Sequence, residues 1–136
     1  MLLVGVLAVT LLGVVGIGLL GAGGGSTARS ASPSPSAGSQ TPRSGLPGIA
    51  VADLPKQARD TLALIDRGGP YPYSQDNTVF SNLERVLPER PKGYYREYTV
   101  VSPGSSSRGT RRLVVGAQGD IYFTTDHYQT FRQVLR

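Results

Sequence analysis

The sequence predicts an α+β fold, one N-terminal helix packed on a twisted antiparallel β-sheet. Three observations predict it. Leu54, Ala58, Leu62 and Ile65 recur at helical spacing, so one apolar face comes first in the folding part of the chain. Runs rich in aromatic and β-branched residues follow at Tyr94–Ser102, Arg111–Gly116 and Ile121–Thr125, with no second helical stretch between them. The intervals Ser102–Gly109 and Gly116–Asp120 are short, which suits hairpins rather than crossovers.

Taken in chain order, residues 1–25 are apolar or glycine apart from Thr10, and Leu2–Leu20 carries no charge. That run reads as a signal peptide or a membrane anchor, and in either case the remainder is expected to be exported, secreted if the segment is cleaved. Residues 26–49 are mostly Ser, Pro, Gly and Ala. They offer too little apolar area to offset their conformational entropy and are expected to be a disordered linker. The folding unit is then 50–136, small enough that each buried aromatic matters.

Within that unit Pro55 suits a first helical turn and Asp53 stands near its start, while Gly68–Gly69–Pro70 stops the helix. The stretch 69–77 (GPYPYSQDN) is turn-rich. In Tyr94–Ser102, alternation puts Tyr94, Arg96, Tyr98 and Val100 on one face and Tyr95, Glu97, Thr99 and Val101 on the other. Gln129–Leu135 is a candidate fourth strand.

The 136-residue chain has no cysteine, which excludes thiol catalysis, Cys-based zinc sites and disulfide staples. A single histidine argues against a His-rich metal site. Net charge is +5; without Arg29 and Arg43 the folding unit holds twelve basic against nine acidic residues, or +3. Such a balance is compatible with a polyanionic substrate.

Several polar residues stand where a purely structural sheet has no need of them. Glu97 lies inside an aromatic strand, Arg108, Arg111 and Arg112 cluster at the next, and His127 follows a third in Thr-Thr-Asp-His-Tyr. Each alone is more economically a solvated or pairing side chain. Together they form a chemical set. RNA's own 2′-hydroxyl attacks the adjacent phosphorus when a base takes its proton and an acid protonates the departing 5′-oxygen. A carboxylate and an imidazole supply those roles, and paired guanidiniums stabilise the charge that gathers on phosphorus, with no metal required. A non-catalytic binding module would have no need of the full set.

The strings LPKQARDTLALID (54–66), GPYPYSQD (69–76), Val79–Glu84, VLP (86–88), GYYREYTVVSPG (93–104), RGTRR (108–112) and DHYQTF (126–131) run in one order over nearly the whole unit. In order and spacing the chain resembles the secreted bacterial guanyl-specific ribonucleases, the microbial ribonuclease family that includes barnase. The resemblance implies a microbial ribonuclease fold for 50–136 and cleavage of single-stranded RNA after guanosine through a 2′,3′-cyclic phosphate. It implies Glu97 as general base, His127 as general acid and Arg108 and Arg112 as phosphate ligands; regular strand alternation points Arg111 the other way. It further implies guanine recognition by Glu84, by backbone N–H groups around Asn82 and Leu83, and by stacking on Phe80 and Tyr128. Ser81 and Leu83 depart from the polar or basic residues common in the family at those positions. Many members also join the ends of the domain by a disulfide, which this chain lacks, a difference worth about 2–4 kcal/mol. No cofactor is implied. The expected partners are single-stranded RNA and a small acidic inhibitor of the barstar kind covering the basic cleft of a monomer.

Overall fold

The computed structural model describes residues 41–136. The export segment expected at 1–25 and the greater part of the expected linker lie outside the described residues. Strand β1 is Gly48–Ala50, helix α1 is Lys56–Asp66, and β2 is Thr78–Phe80. Then follow β3 (Tyr95–Thr99), β4 (Arg112–Gly116), β5 (Ile121–Thr124) and β6 (Arg132–Leu135). The strands form one sheet in the order β1-β6-β5-β4-β3-β2. All neighbours run antiparallel except β1 and β6, which are parallel. One helix on a mostly antiparallel six-stranded sheet is the fold the sequence predicts.

Helix α1 begins after Pro55, as its missing N–H allows. Leu54, expected on the helical face, stands just before it, closing a 3-10 turn at Val51–Asp53. The helix stops where expected. Gly68 N–H donates to the Ile65 carbonyl (3.1 Å) and Gly69 N–H to the Leu64 carbonyl (2.9 Å). These two reversed bonds need left-handed backbone, and φ is 78° at Gly68 and 101° at Gly69.

Alternation in the strands gives the sheet two apolar faces. Against the helix, Leu54, Ala58 and Leu62 meet Tyr98, Leu113 and Phe123. On the opposite face Tyr95, Val114 and Tyr122 pack with Leu87 and Phe131. Glu97, Thr99 and Arg112 share that second face, because β3 pairs Glu97 with Val114 and Thr99 with Arg112.

The folded unit starts earlier than the expected boundary at residue 50. Gly48 and Ile49 belong to β1, opposite Gln133 and Val134. Upstream, the Gln133 side-chain oxygen accepts from the Ser44 N–H (3.0 Å) and hydroxyl (2.7 Å). The last residues of the expected linker are therefore ordered by β6, whose edge satisfies backbone groups that composition alone would leave to water. A side chain at Gly48 would have to displace the Leu135 side chain, since a Cβ would lie 2.7 Å from its Cδ1. The expected strand at Gln129–Leu135 is shorter, because residues 126–130 are spent in a turn.

Candidate active site

Register fixes where each polar side chain stands. Along the open face, Thr99, Arg112 and Thr124 form one row across β3, β4 and β5; Glu97, Val114 and Tyr122 form the next. Glu97 and Arg112 thus come from adjacent strands, one step apart along the sheet.

Arg112 is only 3 % exposed. Its Nη1 donates to the carbonyls of Gly109 (2.9 Å) and Arg111 (2.8 Å), while Nε is buried without a partner. A buried N–H of a cation with no acceptor is expensive, and an anion on this face would satisfy it. Arg108 reaches the same row by another route, its Nε and Nη2 donating to Thr99 Oγ1 at 3.1 and 2.7 Å. The Arg108 guanidinium also lies 5.9 Å from the Tyr73 ring centroid.

Thr99 is itself held from behind. The buried Asp76 carboxylate accepts its backbone N–H at 2.7 Å and that of Tyr73 at 3.3 Å. One acidic side chain thereby fixes both groups that meet Arg108.

His127 arrives on the turn after β5. Its N–H donates to the Thr110 carbonyl (3.0 Å), and Thr110 Oγ1 donates to the Thr125 carbonyl (2.7 Å). These bonds tie the histidine turn to the segment carrying both arginines. His127 and Tyr128 both have left-handed backbone, φ 57° and 74°. For bulky side chains that costs about 1–3 kcal/mol each and persists only when the surroundings enforce it. Here Thr124 Oγ1 accepts the Tyr128 N–H (3.2 Å), and Asp126 accepts from the Thr130 N–H (2.9 Å) and hydroxyl (2.6 Å).

The bonds from Thr130, side chain first, hold the Asp126 carboxyl down at about 2, against an ordinary 3.8. A depressed carboxyl stabilises the fold above its unfolded pKa, and that contribution fades as pH falls through the folded value. Between about pH 4 and pH 2 the protein should therefore lose stability in part through this turn. Asp126→Asn should flatten that limb of melting temperature against pH; an unchanged slope would show that the turn is not proton-linked.

Tyr128 joins the parts. Its hydroxyl donates to Glu97 Oε2, its ring stacks on Phe80 with centroids 4.9 Å apart, and His127 adjoins it at 4.8 Å. Burial, and then the Glu97 carboxylate, push the Tyr128 hydroxyl up to about 12, so it remains a donor at neutral pH. Thr78 Oγ1 donates to the other Glu97 oxygen at 3.4 Å. A carboxylate, a histidine and two arginines are thus assembled on one face.

The ribonuclease family model matches residues 37–135. The chain belongs to the ribonuclease family. It is 53 % identical over 92 residues to guanyl-specific ribonuclease St of Saccharopolyspora erythraea, covering 68 % of this chain and 91 % of that protein. Guanyl-specific ribonuclease Sa of Kitasatospora aureofaciens is 54 % identical over 84 residues, which cover 61 % of this chain and 88 % of that protein. Among solved structures, ribonuclease Sa2 complexed with mononucleotides superposes with a TM-score of 0.66 at 52 % identity, covering 67 % of this chain and 95 % of that one.

In this ribonuclease the residues expected around a base are arranged less simply than expected. Phe80 and Tyr128 are not two walls of an open slot. They contact each other, whereas a base held between them needs the rings roughly 7 Å apart, two contacts of about 3.5 Å. Asn82, in left-handed backbone (φ 49°), spends its side chain bracing the loop, donating to the Leu87 carbonyl (2.9 Å) and accepting the Leu87 N–H (3.0 Å). Leu83 is 83 % exposed and Glu84 is exposed, so both project from the loop. A cavity of about 230 Å³ lies against the loop, lined by Phe80, Ser81, Asn82, Leu83 and Arg85 among others; Glu84 does not line it.

Residue-type reasoning missed Tyr73, Asp76, Thr99, Thr124 and Asp126, which hold the charged groups in place. Only the Asp126–Thr130 spacing, typical of a side-chain-capped turn, offered a local signal.

Proposed function

We propose that this ribonuclease is an exported endonuclease that cleaves single-stranded RNA 3′ to guanosine. Glu97 takes the proton from the ribose O2′, which attacks phosphorus and forms the 2′,3′-cyclic phosphate. His127, protonated, gives its proton to the departing O5′. In the slower second step the roles exchange: His127 activates water and Glu97 protonates the returning O2′. Arg108 and Arg112 stabilise the charge on the phosphoryl oxygens in both steps.

The observation that carries this reading is the buried Arg112 Nε without an acceptor, on the face that also holds Glu97. A phosphate there completes the hydrogen bonding of the site and lies beside the base. Guanine choice rests on the relatives' printed specificity and on the Phe80–Glu84 loop, where an exposed carboxylate can accept N1–H and the 2-amino group together. Tyr128 lies against Phe80 and bonds Glu97, so a base that takes the place of Tyr128 on Phe80 also uncovers Glu97. Substrate entry and release of the general base are then one movement. A small acidic inhibitor fits the same cationic face.

Digestion of defined RNAs by the purified chain in EDTA tests the reading. The expected products end in guanosine 2′,3′-cyclic phosphate, later 3′-phosphate. Products ending elsewhere, or activity that EDTA abolishes, would overturn it.

A further inference from the structure

A second cavity lies away from Glu97 and His127. It is an open groove of about 850 Å³ at the other end of the sheet, where Arg43, Arg90 and Tyr94 meet the β4–β5 turn at Asp120 and the chain end at Arg136. Its size is within the range of clefts that enclose organic ligands, about 300–1,000 Å³.

Its chemistry is cationic and aromatic. Arg136 is occupied by a two-pronged pair with Asp66, at 3.0 and 3.1 Å. Tyr94 donates to Asp120 at 2.7 Å, which leaves that carboxylate engaged. Arg43 and Arg90 make no ion pair among the described residues. The Arg90 guanidinium lies over the Tyr94 ring, 5.3 Å from its centroid. An exposed guanidinium spread on an aromatic face, with a second arginine in the same groove, suits a phosphate and its neighbouring base.

Arg90 also lines the smaller cavity beside the Phe80–Arg85 loop, so the two hollows adjoin at this side chain. Strand register gives the path a direction. The arginine row lies at the Thr99 end of β3, whereas Phe80 pairs with Tyr95 at the opposite end. With guanosine's 3′-phosphate at the arginine row and its base at Phe80, the 3′ extension leaves from the arginine row, so the part of the strand free to run along the Phe80 side toward Tyr94 and Arg90 is the one that leaves the ribose through O5′.

We infer that this groove binds the RNA strand on the 5′ side of the cleaved guanosine, with Arg43 and Arg90 as phosphate contacts. The inference rests on the ribonuclease reading above and adds a binding track outside the reacting centre. Its consequence is a KM that falls when the substrate is extended upstream.

The test compares the dinucleotide GpU with two oligonucleotides holding a single guanosine, one extended only on its 5′ side and one only on its 3′ side. The purified full chain and its R43E/R90E variant are assayed at several salt concentrations. The wild type should show a KM for the 5′-extended substrate at least about five-fold below that for GpU. The variant should lose this advantage. Because Arg90 also borders the guanine loop, the readout is the ratio of KM for GpU to KM for the 5′-extended substrate. That ratio should fall about five-fold, to near one, while the ratio of GpU to the 3′-extended substrate stays within two-fold of wild type. The slope of log KM against log salt for the 5′-extended substrate should fall by about 1.4, or about 0.7 for each lost single-strand contact. Equal kinetics for variant and wild type on the 5′-extended substrate would overturn the inference, as would a loss confined to the 3′-extended one. Failure of the wild type to cleave GpU or either oligonucleotide would instead overturn the proposed activity.

Discussion

Glu97→Gln should lower kcat for RNA cleavage by about 10²- to 10⁴-fold while leaving KM and melting temperature close to those of the parent protein. Glutamine has the shape of glutamate and an oxygen that can still accept from Tyr128 and Thr78, the two groups that meet Glu97 in the structure. It cannot take a proton from O2′. Because the side chain is half-buried and makes no ion pair among the described residues, its neutralisation leaves no stranded partner charge. The loss should therefore fall on the chemical step rather than on binding. The pH–rate profile is the sharper readout: the acidic limb belonging to the base should disappear. A variant retaining full kcat would remove Glu97 from the mechanism.

Asp76→Ala should destabilise the fold by about 3 kcal/mol, because it strands the Thr99 and Tyr73 N–H groups and each bond to a charged acceptor is worth about 1.5–3 kcal/mol. At about 4–8 °C per kcal/mol for a domain of this size, the melting temperature should drop by at least about 12 °C. Asp76→Asn keeps one acceptor oxygen for the short Thr99 bond and should fall between the two. The effect extends to activity. Thr99 positions Arg108, so the alanine variant, assayed well below its melting temperature, should also bind substrate phosphate less tightly. An unchanged melting temperature in the alanine variant would show that water replaces the carboxylate without loss.

Long, regular patterns were legible in the sequence and short ones were not. Helix α1 and strands β3 to β5 announce themselves through several turns of periodicity and through decisive stops such as Gly68–Gly69. Strands β1 and β2 are three residues each, too short for alternation to show, and β1 exists because β6 offers it an edge. The same distinction runs through the site. Glu97, Arg108, Arg112 and His127 are visible as residue types suited to one reaction. The supports behind them depend on which backbone groups register places together, as with the Asp76 carboxylate and the Thr99 N–H. The closed contact of Phe80 with Tyr128 is a matter of side-chain packing, for which sequence spacing offers no sign.

The parallel pairing of β1 with β6 joins the first strand of the domain to the last. Contacts between such distant parts of a chain form late, since the intervening loop must close first. His127 and all of β6 lie within the final ten residues. Until that loop has closed, neither the histidine turn nor the strand that seals the sheet has its place, so the reacting groups and the closing pair of strands are completed together.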